Sequence, residues 1–205
     1  MSKETAVTKK KLAGMSTRYL TGTAMLSALA FILMYLEVSI PIMPPFIKFD
    51  FSDLPTLVGT FAYGPVYGVI ICLVKNLLHL AFSHSMLVGE LSNFMLGAVF
   101  ALTAGIIYKR KKTKTSALAG GVIGAAAMGI FSIFSNYFIV YPVYYKALMP
   151  EEVVLGMYQA ILPSMDSIME SLLVFNLPFT IVKGLISVAI TMLVYKPLSP
   201  ILKGR

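Results

Sequence analysis

Apolar residues run almost unbroken through six stretches of this chain, and short polar or proline-rich segments separate them. Five stretches are long enough to cross a bilayer as helices, for which about 20 predominantly apolar residues are needed. The pattern predicts helices over 18–36, 65–82, 88–108, 116–141 and 177–195, with a shorter one between Ser52 or Asp53 as cap and the Gly64-Pro65 break. That short helix has about eleven residues, which rise only about 17 Å against a hydrocarbon core of about 30 Å. It cannot cross alone. The loop before it, "EVSIPIMPPFIKFDFSD", carries three prolines and is not a regular helix. Irregular backbone is tolerated at membrane depth only where protein or a watery cavity receives its polar groups. The loop over 38–52 is therefore expected to dip inward and roof a cavity. Pro142 is expected to end the fifth long run. An external flap with helical starts at Glu151 and near Asp166 should follow, and Asn176 should cap the last helix, with Pro178 in its first turn.

Composition agrees with a membrane solvent. Of 205 residues, 58% are hydrophobic, more than a soluble domain of this size can hide. The net charge of +8 would suggest nucleic acid in a soluble protein, but its placement gives another reason. Thirteen of the seventeen Lys and Arg residues lie in the N-terminal tail, the run "KRKKTK" at 109–114, and the C-terminal end. The alternate loops carry Glu37, Asp50, Asp53, Glu151, Glu152 and Asp166 instead. Positive charge stays cytoplasmic, so both termini are expected inside and the number of crossings is even. The expected fold is an all-α membrane protein of six helices with a short second helix and an outward-facing cavity under the first loop. Its parts are a basic tail over 1–17, one membrane domain over 18–196 and a second tail over 197–205. The charged start followed by an apolar run is read as a retained first helix, because Ala28-Leu29-Ala30 lies inside that run. Cys72 is the sole cysteine, which excludes disulfides and cysteine-pair metal sites.

Against that apolar background the polar side chains inside helices mark the chemistry. A charge in hydrocarbon costs about 2.5–3.5 kcal/mol or more, so an intramembrane ionisable group is paired, hydrated or used. Lys183 lies about two turns into the last helix, with Thr180 on the same face and Asn176 above them. No acidic residue lies in the inner parts of the last two long helices to neutralise it. Asn136 and Tyr137 stand near one end of the fifth long run. Lys75 and His79 share a helix face beside Asn76, and Glu90 with Asn93 opens the next helix, where Glu90 is within plausible reach of His79 or Lys75. The alternative is that these groups pair with one another and merely hold helices together.

Catalysis finds no support: there is no HExxH, no clustered acid pair and no cysteine beside a histidine. No GxxxxGK[ST] loop exists, so the chain carries no ATPase of that type. Ala24 and Ala28 form a small-xxx-small pair that lets another helix approach closely.

Taken together, "PPFIKFDFSDLP", "GPVYG", "KNLLH", "GELSNF", "NYFIVYPVY" and "LPFTIVKG" resemble the substrate-binding S component of an energy-coupling factor vitamin transporter, most closely the riboflavin-specific member. The resemblance runs through nearly the whole chain. It implies a six-helix subunit without its own ATPase or cofactor, which binds riboflavin near the outer face under the first loop. Such a subunit docks on a transmembrane coupling protein with two cytoplasmic ATPases and topples in the membrane to release its cargo. Ala24 and Ala28 match the family's docking motif. Asn136, Thr180 and Lys183 look like the residues that hydrogen-bond the flavin, although Thr180 stands where the family more often has asparagine. Asn176, Tyr137, Tyr141, Phe46, Phe49, Asp50, Glu90, Asn93 and Asn76 complete the expected binding set, and Phe51 is a further candidate for the aromatic slot. A flat aromatic ring with a neutral polyhydroxyl chain suits an apolar slot with a few placed polar groups. Two other readings stay open. One is another vitamin as cargo, such as thiamine, pantothenate or folate. The other is a self-sufficient carrier using His79, Glu90 and Lys75 as a proton relay.

Overall fold

A computed structural model describes residues 17–83 and 87–203 of the chain, so the basic N-terminal tail and the extreme C-terminus lie outside the described residues. The described chain is all-α apart from one small hairpin. The elements are α1 (Thr17–Tyr35), β1 (Val38–Ser39), β2 (Lys48–Phe49), α2 (Asp53–Tyr63) and α3 (Pro65–His79), which tightens into a 3-10 turn at Leu80–Phe82. After these come α4 (Val88–Arg110), α5 (Lys114–Ser135), α6 (Tyr141–Ala147), α7 (Glu151–Gln159), α8 (Ile168–Ser171) and α9 (Leu177–Lys203). Two π turns, Asn136–Val140 and Leu172–Asn176, join α5 to α6 and α8 to α9. Among the described residues, five helical runs are long and apolar enough to cross a membrane: Thr17–Tyr35, Pro65–Phe82, Val88–Arg110, Lys114–Ala147 and Ile168–Tyr195. Large apolar side chains such as Leu20, Met25, Ile32, Leu77, Ile130, Phe138 and Leu193 face outward from them. In lipid that exposure is the favourable arrangement.

The eleven-residue α2 is wrapped by the others. It packs on α1, α3, α4 and α9, and its residues from Pro55 through Phe61 are all buried. A helix enclosed in this way has no need to span hydrocarbon, because protein receives its ends. Gly64 makes the reversal between α2 and α3 possible with φ +114°, a backbone conformation that only glycine adopts cheaply. Pro65 then occupies the first turn of α3, where a missing N–H costs nothing. Small residues set the remaining distances: a side chain on Gly120 of α5 would meet the Ala104 carbonyl of α4 at 2.8 Å. One apolar core of Leu57, Phe61, Phe100, Ala104, Met128 and Val188 joins α2, α4, α5 and α9. A second, built on Val88, Val140, Tyr141, Val154, Tyr158, Met165, Ile168 and Leu172, binds the α7 segment to the ends of α4, α5 and α9.

Two sequence expectations about helix ends are corrected. Pro142 does not stop the fifth run; the helix continues through the π turn into α6, giving one stretch Lys114–Ala147. Asn176 does not cap the last helix, which begins upstream at Ile168 and passes through the second π turn. The physical reason is the same in both places. Each proline sits two residues after a π turn, where the Tyr141 and Leu177 N–H groups reach back five residues to the Asn136 and Leu172 carbonyls. The widened turn absorbs the hydrogen bond that proline cannot make and the clash that its ring would cause. A third correction concerns α2. Ser52 lies in helical backbone and makes no side-chain cap; the Asp50 carboxylate accepts from the Ser52 N–H at 2.8 Å instead.

Candidate functional site

A cavity of about 460 Å³ opens at the end of the bundle that carries the hairpin, opposite the basic turn at 109–114. Its roof is the hairpin loop, with Phe46, Ile47, Lys48 and Asp50. The first two turns of α4 supply Glu90, Ser92, Asn93 and Leu96; the π turn and α6 supply Asn136, Val140, Tyr141 and Tyr144. The α7 region contributes Met149 and Met157, and the last helix contributes Asn176, Phe179, Thr180 and Lys183. The volume lies within the roughly 300–1,000 Å³ usual for small-molecule sites.

The expected polar set converges here, and its spare hydrogen-bonding capacity is specific. Asn136 Oδ1 accepts from Ser92 Oγ at 3.4 Å, leaving its amide nitrogen without a partner among the described residues. The Thr180 hydroxyl makes no hydrogen bond among those residues, and Asn93 Oδ1 is buried and unpaired. An unsatisfied buried oxygen costs about 1–3 kcal/mol, so a ligand donor at Asn93 has that much to recover. Asn176 and Thr180 lie one turn apart, and Lys183 follows on the same stripe of α9.

Lys183 is not left uncompensated. Its Nζ donates to Asp50 Oδ2 at 2.7 Å, across 133 residues of chain. The counter-charge comes from outside the helices, on the roof loop. Of the three ammonium protons, two remain for a ligand or water. Burial pushes the Asp50 carboxyl up, but the Lys183 and Lys75 ammonium groups outweigh it and hold the carboxyl at about 2, below its usual 3.8. Asp50 therefore stays ionised and pins the roof loop to α9.

Two further ionic groups surround this pair. Lys75, fully buried, donates to Ser52 Oγ at 2.5 Å and to Asp53 Oδ1 at 2.9 Å, which anchors the start of α2 to α3. His79 Nδ1 lies 2.8 Å from Glu90 Oε1, and Ser83 Oγ donates to Glu90 Oε2 at 2.9 Å. Both His79 and Glu90 line the cavity. The expected choice for Glu90 thus resolves to His79, and a relay of Lys75, His79 and Glu90 is not assembled, because Lys75 turns to Asp53.

Three expected binding residues do not reach the cavity. Tyr137 is 41% exposed on the outside of the bundle, since adjacent helix positions point about 100° apart and Asn136 takes the inward one. Asn76 is buried within α3, where its amide donates to the Cys72 carbonyl at 2.7 Å. Phe49 packs edge-on against Phe51 and Phe179 behind the roof, and Phe51 likewise is absent from the lining. Sequence reasoning in turn missed Ser92, Phe179 and Tyr158. The signal for Tyr158 was its i,i+4 spacing from Val154 in the short α7, an apolar stripe on a helix with two acidic residues at its start. Ala24 and Ala28 are both exposed on the outer face of α1, while Ser27 and Ala30 between and beside them are buried.

Comparison with known proteins then decides the family. Residues 18–195 match the ECF transporter, substrate-specific component family. The chain belongs to that family. Riboflavin transporter RibU of Staphylococcus aureus (strain TCH60) is 36% identical over 195 residues, covering 95% of this chain and 97% of that protein. Riboflavin transporter FmnP of Bacillus subtilis (strain 168) is 30% identical, covering 91% and 94%. A solved structure described as "Structure and mechanism of the S component of a bacterial ECF transporter" superposes with a TM-score of 0.71 at 38% identity, covering 90% of this chain and 97% of that one. This S component is accordingly a multi-pass cell-membrane protein of a transport system and not an enzyme.

Proposed function

We propose that this S component captures riboflavin from outside the cell and delivers it inward as part of an ATP-driven importer. The observation that carries the reading is the cavity in which Asn136, Asn176, Thr180 and Lys183 converge together with the aromatic and thioether surface of Phe46, Phe179 and Met157. An isoalloxazine ring fits between those apolar faces, with its carbonyls and ring nitrogens toward the donors of Asn136 and Lys183. The ribityl hydroxyls find acceptors at Glu90 and Asn93. Relatives that span nearly the whole chain are named riboflavin transporters, which supports the same cargo. No cofactor is required; the vitamin is the cargo.

Six helices with both termini cytoplasmic follow from the charges. The exposed basic turn at 109–114 marks one end of the bundle, and the cavity opens at the other. On this reading the apolar domain over 18–196 lies between cytoplasmic tails, with the roof loop and α7 outside. Membrane lipid covers the outward apolar faces, and nucleic acid is not a partner. The partners are a transmembrane coupling protein and two cytoplasmic ATPases, with Ala24 and Ala28 on the docking face.

The test is the chromophore that co-purifies. The membrane protein purified from cells grown with riboflavin should be yellow and release riboflavin, identified by mass spectrometry. Thiamine, pantothenate or folate in its place would overturn the cargo while leaving the family intact. Uptake by the chain alone, abolished by an uncoupler and indifferent to ATP, would favour a self-sufficient carrier.

A further inference from the structure

At the cavity wall three buried side chains close a ring: Tyr141 and Asn176, which line the cavity, and Tyr158, which stands behind them outside the lining. The Tyr141 and Tyr158 hydroxyls are 2.5 Å apart, Tyr158 donates to Asn176 Oδ1 at 2.6 Å, and Asn176 Nδ2 donates to the Tyr141 oxygen at 3.2 Å. The directions are mutually consistent, because Tyr141 then donates to Tyr158 and every member both gives and receives. Burial pushes the Tyr158 phenol well above its ordinary range, so the hydroxyl stays protonated and able to donate.

The ring's position gives it more than a packing role. Tyr141 is the first residue after one π turn and Asn176 is the last residue of the other, so Tyr158 bridges the two widened turns from α7. Those turns present Asn136 on one side and start the Asn176, Thr180 and Lys183 stripe on the other. An asparagine amide can present either its oxygen or its nitrogen. With Oδ1 held by Tyr158 and one N–H held by Tyr141, Asn176 has only its second N–H left for the cavity. Tyr141, both of its hydrogen bonds spent in the ring, offers the cavity its aromatic body rather than its hydroxyl.

We infer that Tyr158 is a positioning residue for substrate recognition, which fixes Asn176 as a hydrogen-bond donor toward an acceptor on the ligand without itself touching the ligand. This rests on the reading of the cavity as the riboflavin site. Loss of the Tyr158 hydroxyl frees the Asn176 amide to turn over and lets the two π turns shift independently.

The test is riboflavin titration of the purified full chain in detergent, for the wild type, Tyr158→Phe, Asn176→Ala and the double variant. Tyr158→Phe should bind riboflavin roughly tenfold more weakly, the worth of one hydrogen bond, and melt at a lower temperature, because the buried Tyr141 hydroxyl and Asn176 oxygen lose a partner. In the Asn176→Ala background the same substitution should have no further effect, the signature of action through that residue. Unchanged affinity, or an equal loss in both backgrounds, would overturn the inference. If Tyr158→Phe does not fold, Tyr141→Phe opens the same ring from its other side and should couple to Asn176→Ala in the same way; additivity there would also overturn it. A wild type that binds no riboflavin would instead refute the cargo.

Discussion

Replacing Lys183 with methionine keeps the length of the side chain and removes its charge, and the structure gives two separate consequences. The first is on the ligand: a charge-assisted hydrogen bond is worth about 1.5–3 kcal/mol, which corresponds to about 10- to 150-fold in affinity. The second is on the protein. Asp50 is buried at 4% exposure and loses its closest cation, and removing one partner of such a pair costs about 3–5 kcal/mol. Asp50 keeps the Ser52 N–H and the more distant Lys75, and it sits on a loop that can swing outward, so the lower end of that range applies. Lys183→Met should therefore lower both riboflavin affinity and the melting temperature of the unliganded protein. Adding Asp50→Asn should return most of the stability, because the stranded charge is gone, but not the affinity. Flavin fluorescence quenching reads the binding without interference from tryptophan, which the chain lacks, and a thermal melt in detergent reads the stability. Equal stability of Lys183→Met and wild type, or strict additivity of the two substitutions, would refute the pairing of Asp50 with Lys183 as the tie that holds the roof.

Two other predictions follow from named groups. The Asp50 carboxyl is depressed to about 2 from 3.8, so the stability it contributes is present above pH 4 and disappears as the pH falls toward 2. The melting-temperature gap between the wild type and Asp50→Asn should be constant above pH 5 and close below pH 4; a gap that widens on acidification would contradict the assignment. Ala24→Leu puts bulk on the exposed stripe of α1, so it should leave riboflavin binding intact in the purified subunit while stopping uptake in cells that supply the coupling module. Normal uptake by that variant would move the docking face elsewhere.

Several helices were legible because their apolar runs carry their own stop signals. Gly64-Pro65 fixed the end of α2 and the start of α3, and the eleven-residue length of α2 matched the expectation. What the short helix does became clear only from packing, since a helix wrapped by four neighbours and one crossing lipid have the same local pattern. The π turns were not legible. Pro142 and Asn176-Leu177-Pro178 carry the local chemistry of helix ends, and nothing local in them signals the widening that lets a helix continue past them. The cavity set was mostly legible because polar residues in apolar helices are few, and Asn136, Thr180 and Lys183 do converge. Tyr137 and Asn76 were misplaced by adjacency: each follows a polar residue in sequence, but a helix turns about 100° per position and points the neighbours apart. The Asp50 partnership was out of reach for periodicity altogether, as it joins an irregular loop to a helix 133 residues away.

Riboflavin titrated into the purified wild-type chain, with quenching of the vitamin's own fluorescence as the signal, measures the central assignment directly. The account predicts saturable one-to-one quenching below micromolar vitamin, lost when Asn136→Ala and Lys183→Met are combined. Fluorescence that stays undiminished at micromolar riboflavin, or quenching that the combined variant retains in full, would contradict it.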